Sequence, residues 1–345
     1  MAVTLKEVAR MAGVSPSTAS HAIRGIHPGK RALSALTIKR VREVAEQLGY
    51  RPNLLAAGLA NNKTFTIGVM VANLRGNFHE RILKGITETI YPEYTPLLSV
   101  HNNQPDREHR EIEFFIGKHV DGIIAAYSGY QQNIHIYREI QKYKIPLVLV
   151  DRGIEDFQCH LVKSDYYNSA YIAVETLNKL GHRNIVFALS GRQSENTNML
   201  IDGFKAAVSE KNLNESAEIY NADMPASSED DSKNLAENIV DYIKSKKPQT
   251  TALLAERDWL AYEILAVCQE RGIKIPQEIS LMGIEDSDPS ALRCVGLSSV
   301  RIELHEVGRR AADLLVKIIN SAEVGNEPLA VKPTVMLRRT TSPLK

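Results

Sequence analysis

From residue 65 onward, short apolar runs alternate with longer segments whose apolar positions recur every three to four residues. The runs at 66–71, 96–100, 120–126 and 146–150 predict strands, and the periodic segments near 78–91, 106–118 and 132–143 predict helices between them. The rhythm then repeats, with strands at 185–189, 252–255 and 279–282 and helices near 167–180, 197–211, 231–245 and 259–271. Strand and helix in alternation imply parallel βαβ units, and two such sets imply two doubly wound lobes. Sheets of this kind bind ligands outside the carboxyl ends of their strands, so two facing lobes predict a cleft that a ligand can close.

The first 64 residues carry a different pattern. Leu5, Val8, Ala9 and Ala12 share one helical face behind a Thr4/Glu7 capping box, and Gly13 ends that helix. Ser15 followed by Pro16 is an N-cap with proline at the first helical position, so a second helix starts there. Its inward residues are Ala19, Ala22 and Ile23, while Ser17, His21 and Arg24 share the opposite, polar and cationic face. Small Ala9 and Ala12 let the two helices cross closely, the helix-turn-helix geometry that lays its second helix in a DNA major groove. Ser34 caps a third helix with the stripe Ile38, Val41, Val44, Ala45 and Leu48, ended by Gly49. Pro52 breaks the chain, and Asn53 can cap a short apolar segment at 54–60 before the polar 61–64.

Charge follows the same division. Residues 1–63 hold ten Lys+Arg against three Asp+Glu, a net of +7, whereas the rest holds 32 against 38, a net of −6. A basic head on an acidic body points to a polyanion partner for the head alone. With 43% hydrophobic and 24% charged residues the 345-residue chain has ordinary globular composition and room for two or three domains. Cys159, Cys268 and Cys294 are odd in number and unclustered, so neither a disulfide nor a metal site is expected, and no cofactor. The first thirty residues lack the apolar core of a secretory signal, and no run has the length of a membrane span; the expectation is a cytoplasmic protein. A nucleophile elbow, a Walker-type loop, a Gly-x-Gly-x-x-Gly turn and a His-Glu-x-x-His helix are all missing, which argues against an enzyme.

From Thr4 to Pro52 the chain resembles the DNA-binding module of the lactose/galactose repressor (LacI/GalR) family, on Val-Ala-Arg-Met-Ala-Gly-Val-Ser at 8–15, Thr18, Ser20 and Leu-Gly-Tyr-Arg-Pro-Asn at 48–53. Residues 65–342 are similar to the family's effector-binding core, shared with periplasmic sugar-binding proteins, on 120–124, 180–185 and 275–280. The resemblance implies an α/β protein with a three-helix head at 1–52, a hinge helix and linker at 53–64, and a bilobal, periplasmic-binding-protein-like effector domain at 65–342. The chain would cross between lobes near 161, 292 and 325, so that lobe 1 takes 65–161 and 293–325 and lobe 2 takes 162–292 and 326–342.

The same resemblance assigns DNA contacts. Base edges would be read from Pro16, Ser17 and His21, phosphates met by Thr18 and Ser20, and a minor-groove wedge supplied by Leu59 of a hinge begun at Asn53. Thr4, Ser15, Arg24, Lys30 and Arg31 complete the candidate set, the last two in a basic loop longer than the family's usual connection. Ala57, Gly58 and Ala60 make the hinge less basic and less helical than the family pattern.

Effector positions would fall on Arg75, Phe78, Asp165, Leu200, Arg257, Asp258, Trp259 and Glu285. Phe78 offers a ring face, Trp259 a second stacking surface or a core residue, and Asp258 and Glu285 accept hydroxyl hydrogen bonds. Leu200 stands where many sugar-responsive members have Arg, and Arg257 where they have Asn. Arg257 can hold a carboxylate or phosphate bidentately, or pair with Glu256 or Asp258 and contact no ligand. The expectation is a regulator, homodimeric or tetrameric, that binds duplex operator DNA under control of a sugar or sugar derivative, with a phosphorylated or acidic form as the sharper alternative. A nucleobase effector stays open, and the other reading is a cytoplasmic sugar-binding or co-regulator-responsive DNA-binding protein without small-molecule induction.

Overall fold

The structure, a computed structural model, describes residues 3–24, 33–51, 63–74, 78–222 and 229–344. It divides into two units, Met1–Phe65 and Thr66–Lys345.

The smaller unit is three helices, α1 (Leu5–Met11), α2 (Pro16–Arg24) and α3 (Ala35–Gln47). Each start is fixed by a side-chain cap. Thr4 N–H donates to Glu7 Oε2 at 2.7 Å while Glu7 N–H reaches Thr4 Oγ1 at 3.4 Å, the reciprocal box expected from the sequence. The Thr18 N–H donates to Ser15 Oγ and the Thr37 N–H to Ser34 Oγ, both at 3.1 Å. Gly13, at φ 63°, makes the turn between α1 and α2, a backbone that a side chain would strain. Val8, Ala9, Ala12, Ala19, Ala22, Val41 and Ala45 form the buried core, mostly alanine because the helices cross closely. Arg42 Nε closes α3 onto the end of α2 by donating to Ala22 O at 3.3 Å.

The larger unit holds two six-stranded sheets. The first contains β1 (Thr66–Val71), β2 (Thr95–Val100), β3 (Gly122–Ala126), β4 (Leu147–Val150), β5 (His160–Ser164) and β11 (Leu329–Val331), in the order β11-β5-β4-β3-β1-β2 and parallel throughout. Helix α4 (Phe78–Ile90) covers one face together with α11 (Leu304–Ile319), and α5 (Pro105–Gly117) and α6 (Ile134–Lys142) cover the other. Strand alternation feeds both layers: Ile124 and Ala126 join one core, Ile123 and Ala125 the other.

The second sheet contains β6 (Ile185–Leu189), β7 (Ala217–Asn221), β8 (Ala252–Ala255), β9 (Ser280–Glu285), β10 (Ser298–Arg301) and β12 (Thr334–Met336), ordered β12-β10-β9-β8-β6-β7. Only the β10–β12 pair is antiparallel. Helices α7 (Tyr166–Lys179) and α8 (Glu195–Glu210) pack on one face, α9 (Glu229–Ser245) and α10 (Asp258–Glu270) on the other.

The strands place the crossovers later than expected. β5 ends at Ser164, β10 belongs to the second sheet and β11 to the first, so the chain passes between sheets after 164, after 301 and after 331 rather than near 161, 292 and 325. The physical reason is local: Ser298-Ser299-Val300-Arg301 has one large apolar side chain, and the β11 strand is three residues long, so neither makes an apolar run. Helix α11 lies on the first sheet.

Candidate functional site

Helix α2 presents Ser15, Pro16 and Ser17 exposed at its start, with Thr18, Ser20 and His21 half-buried along it and Arg24 as its last residue. It contains no acidic residue. The positive end of its dipole therefore meets no competing carboxylate within the helix, which suits a phosphate. Two of the candidate contacts have structural work as well: the Ser15 hydroxyl sits 2.9 Å from that of Thr18 and caps α2, and Thr4 caps α1. Lys30, Arg31, Asn53 and Leu59 lie outside the described residues, as does Arg75 of the effector set.

In the larger unit the carboxyl ends of the two sheets form one polar band. Asp151, the residue after β4, adopts φ 74°, and Asn196 Nδ2 of α8 donates to its Oδ1 at 3.2 Å. Arg152 Nε lies 3.7 Å from Asp151 Oδ2. Burial pushes the Asp151 carboxyl up, against the pull of Arg152, Asn196 and Arg257. Across from it, Arg257 at the end of β8 pairs with Glu285 at the end of β9, and its guanidinium lies over the Tyr166 ring, 5.6 Å from the centroid. Glu285 and Asp286 both have positive φ, 123° and 52°, and this strained corner turns Glu285 onto Arg257 and Asp286 onto Arg301 and Arg338 at 2.8 and 2.6 Å. Glu256, beside Arg257, is 3% exposed, takes the Ser190 hydroxyl on Oε1, and is pushed up by burial.

Several sequence-predicted residues take other parts. Asp258 is fully buried, and both its oxygens are occupied. Oδ2 accepts from Ser287 N–H at 2.7 Å, Ser287 Oγ at 3.1 Å and Ser290 Oγ at 2.7 Å, while Oδ1 accepts from Ser299 Oγ at 2.6 Å. It staples α10 to the loop after β9 and offers no acceptor to an effector hydroxyl; burial holds its carboxyl up at about 6. Leu200 is 1% exposed inside the core. Trp259 packs half-buried against the second sheet's core, the core reading of the two open for it. Asp165 caps α7, accepting from Asn168 N–H at 3.0 Å and from Asn168 Nδ2 at 2.5 Å. Phe78 begins α4 half-buried, its ring edge-on to His79 at 5.1 Å. Among the described residues of the expected set, Arg257 and Glu285 alone meet directly.

Asp151, Tyr166, Asn196 and Ser190 were not singled out from the sequence, and Glu256 only as a possible partner of Arg257. The signal was there: Asp151, Ser190 and Glu256 each follow the last residue of a strand, the place where open α/β sheets put ligand-facing side chains.

Residues 4–53 match the model for bacterial regulatory proteins of the lacI family, and 174–341 match that for a periplasmic binding protein-like domain. Over 346 aligned residues the chain is 31% identical to Catabolite control protein A of Priestia megaterium, covering 99% of this chain and 100% of that one. The chain belongs to the LacI family. It is thus a member of a family of DNA-binding transcriptional regulators, and the helix-turn-helix head is its DNA-binding element. Among solved structures, a lac repressor dimer bound to operator and the anti-inducer ONPF has a TM-score of 0.77 at 21% identity, covering 99% of this chain and 100% of that one. A LacI-family regulator from Enterococcus faecium with bound ribose has a TM-score of 0.66 at 23% identity, covering 81% and 100%. Both likenesses are of fold. Among the described residues no helix is long and apolar enough to cross a membrane, and no cluster of His, Cys, Asp and Glu suits a metal ion.

Proposed function

We propose that this LacI-family chain is a repressor that binds a two-fold operator as a homodimer and releases or tightens on it when a small sugar or sugar derivative occupies the carboxyl ends of the two sheets. The observation that carries the reading is the Arg257–Glu285 pair lying over Tyr166 on one sheet's end, joined to the other sheet by Asp151 and Asn196. A ligand engaging both sides has differential contacts with open and closed arrangements, which is what lets it shift an equilibrium. The ribose held by the Enterococcus relative supports a sugar, and the Arg257–Glu285 pair weighs against the anionic alternative, since the guanidinium is already held. Pro16, Ser17 and His21 then read base edges, with Leu59 as the hinge wedge.

The test is ligand-induced thermal stabilisation across neutral sugars, sugar phosphates and sugar acids, repeated on Arg257→Ala. Neutral sugars are expected to stabilise the wild type and to bind Arg257→Ala at least about tenfold more weakly, because Glu285 and Tyr166 lose the group that orients them. Stabilisation by no small molecule at all overturns the effector reading.

A further inference from the structure

Helix α2 is nine residues long, and its fully buried side chains are the methyl groups of Ala19 and Ala22, with Ile23 partly buried beside them. Methyl groups bury area but form no ridge that locks into a groove, so packing alone fixes the rotation of the helix about its axis only loosely. That rotation matters for reading DNA. A side-chain tip lies about 5–6 Å from a helix axis, so a turn of about 20° carries it about 2 Å, and a hydrogen bond to a base edge is lost well within that distance.

A directional bond supplies what the methyl groups do not. At the start of α2 the Thr18 N–H donates to Ser15 Oγ, a bond within the helix's own first turn that does not orient it against its neighbours. At the other end, Arg42 Nε of α3 donates to Ala22 O at 3.3 Å. Among the described residues this is the one hydrogen bond that a side chain of any of the three helices makes to another of them. Ala22 O belongs to the last turn of α2, where carbonyls have no partner within the helix, and the guanidinium also meets the negative end of the helix dipole. The donor stands on a fixed support: α3 is thirteen residues long and capped by Ser34, and Arg42 follows Val41, which is fully buried in the head's core. Ala22 in turn follows His21, so the bond acts one residue away from a side chain of the outward face.

We infer that Arg42 is a positioning residue for DNA recognition: by holding the Ala22 carbonyl it sets the rotation of α2, and with it the base preference of the head, without itself touching a base. This rests on the reading of α2 as the helix that meets base edges, and adds a residue outside that helix on which its selectivity depends.

Gln and Met at this position isolate the bond. The atom after Cδ is Nε in Arg and an amide nitrogen in Gln, whereas Met puts a methyl group in that place, and neither Gln nor Met carries a charge. The full wild-type chain is used to enrich a site from a random duplex pool. Wild type, Arg42→Gln and Arg42→Met are then titrated with that site, with its single-base variants across one half-site and with random duplex, at several salt concentrations. The ratio of enriched-site to random-duplex affinity should stay within about twofold of wild type in Arg42→Gln and fall about tenfold in Arg42→Met, with the loss read as weaker discrimination among the single-base variants. Equal ratios in the two variants overturn the inference, whether or not their salt slope falls as a lost phosphate contact requires. Weaker binding of random duplex by Arg42→Met than by Arg42→Gln also overturns it, because the bond would then hold the head together instead of aiming α2. A wild type that enriches no sequence from the pool removes the reading of α2 itself.

Discussion

His79 is a histidine to which folding denies a proton. It sits at the start of α4, 8% exposed, with Nδ1 unpartnered, and burial, with His101 and Arg152 nearby, pushes it down to about 4. In the unfolded chain the same ring titrates near 6.5. Below that pH the unfolded state therefore binds a proton that the native state refuses. Stability contributed by a neutral His79 is present above pH 6.5 and is lost as pH falls toward 4, on the order of 3 kcal/mol at the end of the window. His101 and His182, both lowered first by burial, act in the same direction. Asp258 acts in the opposite one: its raised carboxyl contributes most below about pH 4 and loses that contribution as pH rises to about 6. Comparing wild type with His79→Phe isolates the one group. Urea midpoints taken at pH 7.5 and 5 should fall less in the variant, and an equal fall in both would mean that His79 takes up its proton in the native state.

At the scale of elements, α4 and α11 are held together by two glycines. A Cβ on Gly308 would be built into the Ile82 carbonyl oxygen, and one on Gly85 into that of His305, so the two backbones touch where side chains would normally separate them. That contact brings Ile82, Ile86, Val307, Ala311 and Ala312 into one core. Gly308→Ala must push the helices apart and is expected to cost about 3 kcal/mol or more, above the usual overpacking penalty because the obstacle is backbone. Gly117→Ala, with open space around its Cβ position, is the control and should be neutral or stabilising by up to about 1 kcal/mol in chemical denaturation. Equal effects of the two substitutions would remove the crossing from the explanation.

The helices and the inner strands were legible because each buries a periodic apolar stripe or a continuous run; β3, β4, β6 and β8 are buried at every residue. β5, β7, β10, β11 and β12 were not legible. Ala217–Asn221 is an edge strand with no fully buried residue, and Thr334–Met336 is three residues held by pairing to β10. Such strands exist because a neighbour offers hydrogen bonds, which their own side chains do not announce. The site followed the same rule. Arg257, Asp258 and Glu285 were all placed by the resemblance to the family's pocket positions, and Asp258 turned inward to four donors that lie 29 to 41 residues away in sequence.

At the scale of the whole molecule, the division of charge decides how it meets DNA. The first 63 residues carry a net +7 and the remainder a net −6, so the attraction to phosphate is concentrated in the head and the body is repelled. Each phosphate neutralised releases condensed counterions, and the logarithm of affinity falls in proportion to their number as salt rises. Two heads on a two-fold operator, making together about six to ten phosphate contacts, should lose roughly 10³ to 10⁵ in affinity between 50 and 200 mM salt. The binding of a neutral effector should hardly change over the same range, because no ion pair with the ligand is formed or broken. Titrating operator duplex and the best-binding neutral sugar in parallel across that range separates the two sites in one series. A flat salt dependence for the operator would contradict recognition through the basic head, and a steep one for the effector would return the anionic ligand to consideration.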